Sequence, residues 1–244
     1  MELYPGDKIG DAYGGKCVLF SGSINSYELG ITVAHAFDQG DSILIQFESD
    51  KVRKGKCERT IGRCEASFAK IQRRDGGQLT ADLAIVHLNT CICSVGNTVW
   101  WPRRGENTAF RIKIYEEETI PDHTSVMILD QNGEFQYGCI ITESYDDGNL
   151  RGYDDGLHDV IGVCASETEE VAITQRGDSG ALVMSVPNNE RNFLYVYGIS
   201  IGLCDKPGGK SMTIANSLRN VLREISVNKN YFAVDGTHTI DFAY

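Results

Sequence analysis

The chain has 244 residues, 41% of them hydrophobic and 23% charged, with a formal net charge of −11 and a sequence pI near 4.9. An acid excess of this size argues against sequence-independent nucleic-acid binding, which depends on lysine and arginine neutralising phosphates. No window holds the roughly 18 consecutive apolar residues of a membrane helix, and the start, Met1 to Lys8, lacks the basic and apolar segments of a secretory leader.

Read from the N-terminus, the chain is a series of short apolar or alternating runs between Gly, Asn and Asp turns: Val18–Phe20, Gly30–Ala34, Ser42–Phe47, Leu83–Leu88, Val126–Leu129, Tyr137–Ile141, Val160–Cys164, Ala181–Ser185 and Phe193–Ile201. Many short strands without long helices indicate a barrel or sandwich. Asp130-Gln131-Asn132-Gly133 falls between two runs and predicts a hairpin, because Asn-Gly supplies a positive-φ turn. The polar stretch from Trp101 to Ser125 is the expected connection between two halves, divided as 1–112 and 113–244. One helix is expected near the end. Leu218, Val221, Leu222 and Ile225 share one face, Arg219 and Arg223 lie on the other, and Asn216 or Ser217 can cap it. The acidic clusters Glu116-Glu117-Glu118, Asp146-Asp147 and Asp154-Asp155 read as solvated loops, without the ligand spacing of a calcium loop. Eight cysteines permit disulfides without showing them, and no CxxC pair suggests zinc.

Three short segments carry chemistry. Gly177-Asp178-Ser179-Gly180 combines a hydroxyl nucleophile with a tight glycine turn whose backbone N–H groups can meet a developing oxyanion. By composition alone it is equally a hairpin turn. Ile31-Thr32-Val33-Ala34-His35 places a histidine at the end of an apolar strand, where it can face a cleft. Asp82 opens the apolar run Leu83–Leu88, so its carboxylate is expected to be partly buried and to need a hydrogen-bonded partner.

Together these segments resemble the chymotrypsin-like (trypsin-like) serine peptidases, in the order His, Asp, Ser and with similar spacing. Phe20 to Asn25-Ser26 and on to Ala34-His35 resembles that family's strand-loop-strand leading to its histidine. Asp82-Leu83-Ala84-Ile85 resembles its aspartate strand, Gly177–Gly180 its serine loop, and Gly198-Ile199-Ser200-Ile201-Gly202 the strand lining its substrate groove. The resemblance implies an all-β fold of two six-stranded antiparallel barrels with a C-terminal helix, and a serine endopeptidase acting on polypeptide substrates. It implies Ser179 as nucleophile, His35 as general base, Asp82 as the orienting carboxylate, and Gly177 and Ser179 N–H as the oxyanion hole. Ile173, Thr174, Ser200, Ile201 and Gly202 would bind substrate, with no metal or cofactor. Ile173 as pocket floor implies an apolar preference, whereas Lys210 turned inward would imply an acidic one.

The chain departs from the family in several ways. Ala36, Gln175 and Met184 stand where bridged cysteines are usual, which points to a reducing compartment; with the start at Met1 to Lys8 the expectation is a cytoplasmic chain, or one whose leader or larger multidomain parent is absent. The family's activation sequence is missing, and Ala12-Tyr13-Gly14-Gly15 lies too close to His35 to serve, so Asp178 must find a partner other than a freed amine. A catalytically degenerate domain used for binding is the competing expectation.

Overall fold

The structure, a computed structural model, describes residues 1–11, 17–24, 29–48, 56–96, 98–103, 106–147, 156–188, 191–206 and 208–227. The expected Ala12–Gly15, Asn25-Ser26 and Asp154-Asp155 features lie outside the described residues.

The first half contains β1 (Glu2–Leu3), β2 (Lys8–Asp11), β3 (Cys17–Leu19), β4 (Gly22–Ile24), β5 (Leu29–Thr32), β6 (Ser42–Glu48), β7 (Lys56–Gln72), β8 (Gln78–Leu88) and β9 (Ser94–Val95). Seven of these form one sheet in the order β3-β2-β6-β7-β8-β5-β4. Its two edge strands, β3 and β4, are successive parts of one bent segment. Phe20 N–H bonds to Asp7 C=O and Ser21 N–H to Ile31 C=O across the bend. The sheet thereby curls into a barrel of six strand positions around Phe20, Ile31, Ile43, Ile61, Leu83 and Ile85, all nearly or wholly buried.

The second half contains β10 (Thr98–Arg103), β11 (Glu106–Ile114), β12 (Ser125–Leu129), β13 (Phe135–Asp147), β14 (Leu157–Cys164), β15 (Leu182–Ser185), β16 (Phe193–Lys206), β17 (Lys210–Ser217) and helix α1 (Leu218–Val227). Strands β16-β15-β12-β13-β14-β17 run in order, and β17 also pairs with β16, so these six close on themselves. The hairpin β10–β11 hangs on β16 through a parallel β11–β16 pairing. About half of the segment expected as a plain connection is therefore strand. Phe110, Ile112 and Ile114 alternate and pack on the core, which the charged residues around them hide from a composition reading.

Helix α1 buries Leu218, Val221, Leu222 and Ile225, the expected face, and leaves Arg223 exposed. Asn216 does not cap it. Its side chain is turned to Ala81 and Ile199. Cys91 lies in a turn. None of the seven cysteines whose side chains are described is in a disulfide. Among the described residues no helix is long and apolar enough to cross a membrane.

Candidate active site

Strand β5 ends at Thr32, and one 3-10 turn over Ala34–Ala36 follows. The turn buries Ala34 and Ala36 and leaves the His35 side chain 42% exposed. Asp82 lies on β8 beside it and is 2% exposed. Phe68 pairs with Leu83 and Lys70 with Thr80, so Ala81 and Asp82 together oppose the single residue Ala69. This extra residue is a bulge, which re-aims a side chain out of the strand's alternation. Asp82 has φ +38°, in the left-handed region that aspartate tolerates better than most residues. The re-aimed carboxylate accepts two bonds from His35, the backbone N–H to Oδ1 at 2.8 Å and the ring Nδ1 to Oδ2 at 2.7 Å. A buried carboxylate that accepts from Nδ1 fixes the proton there, which leaves Nε2 as the ring's acceptor.

The serine loop is built on Asp178, 1% exposed. Its Oδ2 accepts Gln175 N–H at 2.8 Å, and its Oδ1 accepts Gln131 N–H at 2.9 Å from the β12–β13 turn. Backbone amides thus satisfy the carboxylate for which a partner was sought. Gln131 also donates its side-chain amide to Arg176 C=O at 2.7 Å. Gly177 and Gly180 have φ +100° and +94°. A Cβ on Gly180 would lie 2.0 Å from Leu19 O, so only glycine fits there. The N–H groups of Asp178, Gly180 and Ala181 bond to Gln175, Ser200 and Asp178 C=O. Among the described residues those of Gly177 and Ser179 have no protein acceptor.

Ser179 sits where the two barrels meet. Its C=O accepts Leu19 N–H at 2.8 Å, and Ser21 Oγ donates to Gly180 C=O at 2.7 Å. Leu19 C=O accepts the Thr32 hydroxyl at 2.8 Å, three residues before His35. The 19–21 segment therefore holds both the serine loop and the strand that delivers the histidine. Ser200, 1% exposed on β16, exchanges backbone bonds with Gly180 and Ala181.

The segment leading into the loop hangs from hydroxyls on β17. Ala172 N–H bonds to Ser211 Oγ at 3.0 Å, and Ile173 and Thr174 N–H bond to Thr213 Oγ1 at 3.0 and 3.1 Å. Ile173 packs against the second-barrel cluster that holds Ile140 and Val163. Thr174 is 8% exposed, its hydroxyl 2.9 Å from that of Thr213. Ile201 is buried, and a Cβ built on Gly202 meets open space. Lys210 is engaged elsewhere: its ammonium bonds to Glu170 at 2.9 Å and, joined by Lys206, holds that carboxyl below the usual range. A cavity of about 320 Å³ beside α1, lined by Arg73, Asp159, Tyr197, Arg219 and Glu224 among others, includes none of these site residues. Gln131 was expected only in a hairpin turn and Asn216 only as a helix cap, and Thr213 was not expected to take part. Their one available signal is polarity inside a turn or an apolar strand.

No family model and no curated protein matches the chain. Solved structures do match over 91% of it. Thermobifida fusca protease A has a TM-score of 0.58 at 14% identity, with 95% of that chain covered. Cellulomonas bogoriensis chymotrypsin has 0.57 at 14%, with 95% covered, and Nocardiopsis protease 0.58 at 15%, with 96% covered. The fold is that of the chymotrypsin-like serine proteases, in a divergent sequence.

Proposed function

We propose that the chain is a serine endopeptidase that cuts polypeptides through an acyl-enzyme. The observation that carries this reading is the buried Asp82 carboxylate with both oxygens on His35. Ser179 adds to the scissile carbonyl as His35 Nε2 takes its proton, and Asp82 stabilises the resulting imidazolium. The unclaimed N–H groups of Gly177 and Ser179 receive the oxyanion. The proton then passes from His35 to the leaving amine, and water repeats the sequence to release the acyl group. Asp178 is held by backbone amides, so ordering the loop requires no amine freed by cleavage.

Ile173, Thr174, Ser200, Ile201 and Gly202 form the substrate groove, which prefers an uncharged side chain, apolar foremost, on the acyl side of the cut. Supporting this are the apolar Ile173, the open space at Gly202 and the commitment of Lys210 to Glu170, which removes the cation an acidic side chain would need. Cleavage of a mixed peptide library after Leu, Met or Phe is expected; strong cleavage after Arg or Glu overturns the preference.

A fluorophosphonate probe tests the activity itself. Ser179 should be labelled, and labelling should vanish in His35→Ala and Ser179→Ala while both variants stay folded. A folded wild-type protein that is never labelled supports instead a degenerate domain used for binding.

A further inference from the structure

We infer that Asn216 is a positioning residue that sets the register between the His35–Asp82 pair on one barrel and the Ser179 loop on the other. The inference rests on the proposed function and adds to it a residue that touches neither substrate nor reacting atoms.

Asn216 lies on β17 with no exposed surface, between Val160 of β14 and Ile199 of β16. An apolar side chain would suit these neighbours, and a buried amide persists only where its ends are bonded. Both ends are bonded. Nδ2 donates to Ala81 C=O, and Oδ1 accepts Ile199 N–H at 3.1 Å. A carbonyl only accepts and an N–H only donates, so these partners fix which way the amide faces.

The two partners adjoin the two halves of the site. Ala81 C=O belongs to the peptide that enters Asp82, the bulged residue whose φ of +38° turns its carboxylate onto His35. Anchoring that carbonyl holds the peptide plane, and with it the unusual φ. Ile199 precedes Ser200, whose C=O accepts the N–H of Gly180, the residue directly after Ser179. A route of bonds therefore runs from His35 through Asp82, Ala81, Asn216, Ile199, Ser200 and Gly180 to Ser179, and Asn216 is the side chain in it that crosses between barrels. The hydrogen bonds of Leu19 and Ser21 to Ser179 and Gly180 brace the serine loop from its other side and involve no β8 residue. From the second barrel β8 is also held at Thr80, whose Oγ1 accepts His158 N–H at 2.8 Å, but the bond to the peptide that enters Asp82 is the one from Asn216.

The test compares Asn216→Leu and Asn216→Asp with wild type by fluorophosphonate labelling rate per folded molecule, the folded fraction taken from circular dichroism. The measurement is repeated across the range in which histidine titrates. Asn216→Leu removes both bonds at similar size and should slow labelling by about 10²-fold, as misplaced reacting groups do. Peptide hydrolysis should show the loss in kcat with KM little changed. Asn216→Asp keeps the bridge only while its carboxyl is protonated: the acid then donates to Ala81 C=O and still accepts from Ile199. Its rate relative to wild type should be nearest one at low pH and fall as the acid ionises, a pH dependence that a purely structural role would not produce. Rates within twofold of wild type for Asn216→Leu, a flat pH ratio for Asn216→Asp, or failure of both variants to fold overturns the inference. An unlabelled wild type instead overturns the peptidase reading beneath it.

Discussion

Thr213 accepts N–H groups from both Ile173 and Thr174, which occupies both lone pairs of its hydroxyl. Its proton therefore goes to Thr174 Oγ1, 2.9 Å away, and the Thr174 proton is left for whatever enters beside it. If the groove reading holds, an acyl-side glutamine, uncharged but able to accept, should be cut alongside leucine. Thr174→Val should lower kcat/KM for the glutamine substrate by roughly tenfold, the worth of about one hydrogen bond, and leave the leucine substrate nearly unchanged. Equal losses for both would remove Thr174 from the groove. Asp82→Asn should reduce turnover by about 10⁴-fold, the magnitude known for that change in a chymotrypsin-type triad, with the fold intact by circular dichroism. Retained turnover in Asp82→Asn would detach the carboxylate from the mechanism. The pairing of His35 with Asp82 is legible in the sequence because one ends an apolar run and the other opens one, and a buried carboxylate demands a donor. Thr213 and Asn216 are not. A hydroxyl inside an apolar strand carries no signal, and an asparagine just before a helix reads as its cap, until their partners are known, and those partners lie 39 and 135 residues away.

The β12–β13 hairpin links ordinary turn chemistry to the site. Asp130, 4% exposed, accepts bonds from Asn132 N–H, Glu134 N–H and the Gln136 amide at 2.8–3.0 Å. Burial pushes its carboxyl up, but the Glu134, Gln136 and Asn132 bonds outweigh this and hold it below the usual carboxylate range. Between its lowered native pKa and the ordinary unfolded value near 3.9, the unfolded chain binds more protons, so stability rises with pH in that window. The contribution is complete above the unfolded value and is lost as pH falls through the native one. Asp130→Ala should therefore destabilise the protein by about 1–3 kcal/mol near neutrality, with the difference from wild type shrinking in acid. Thermal melts at both pH values check this; a pH-independent difference would assign the effect to packing. Because this turn carries Gln131 to Asp178, the variant should also label more slowly at Ser179. The hairpin itself is readable from Asn132-Gly133, since its signal is local. The pairing of β11 with β16 is not, since it joins residues about eighty positions apart through a polar-looking segment. The bulge at Ala81–Asp82 is equally silent, because a strand's sequence carries its alternation and not the extra residue that interrupts it.

Two closed barrels in one chain ordinarily invite two unfolding transitions. Here the boundary between them is not a separate surface. One cluster of buried side chains takes in Leu83 and Ile85 of the first barrel, Leu182 and Ile199 of the second, and Leu218 and Val221 of the helix. Hydrogen bonds cross the same boundary at Leu19–Ser179, Ser21–Gly180, Thr80–His158 and Ala81–Asn216, and Arg73 pairs with Asp159 at 3.0 Å. Opening one barrel would strand these groups in the other, so partial unfolding costs more than either barrel's own loss. The wild-type protein should melt in one calorimetric transition whose enthalpy equals the van't Hoff value, with Ser179 labelling lost at the same temperature. Gly180→Ala probes the coupling directly. Its Cβ would meet Leu19 O at 2.0 Å, on a backbone with φ +94°, where relief requires the serine loop to part from the first barrel. That variant should melt earlier, and its single transition should broaden or divide as the barrels lose their shared contact. A wild type that already melts in two steps, or a Gly180→Ala protein whose melt is shifted but remains as sharp as wild type, would mean that the barrels are joined by the core alone and that the bonds around Ser179 serve only the site.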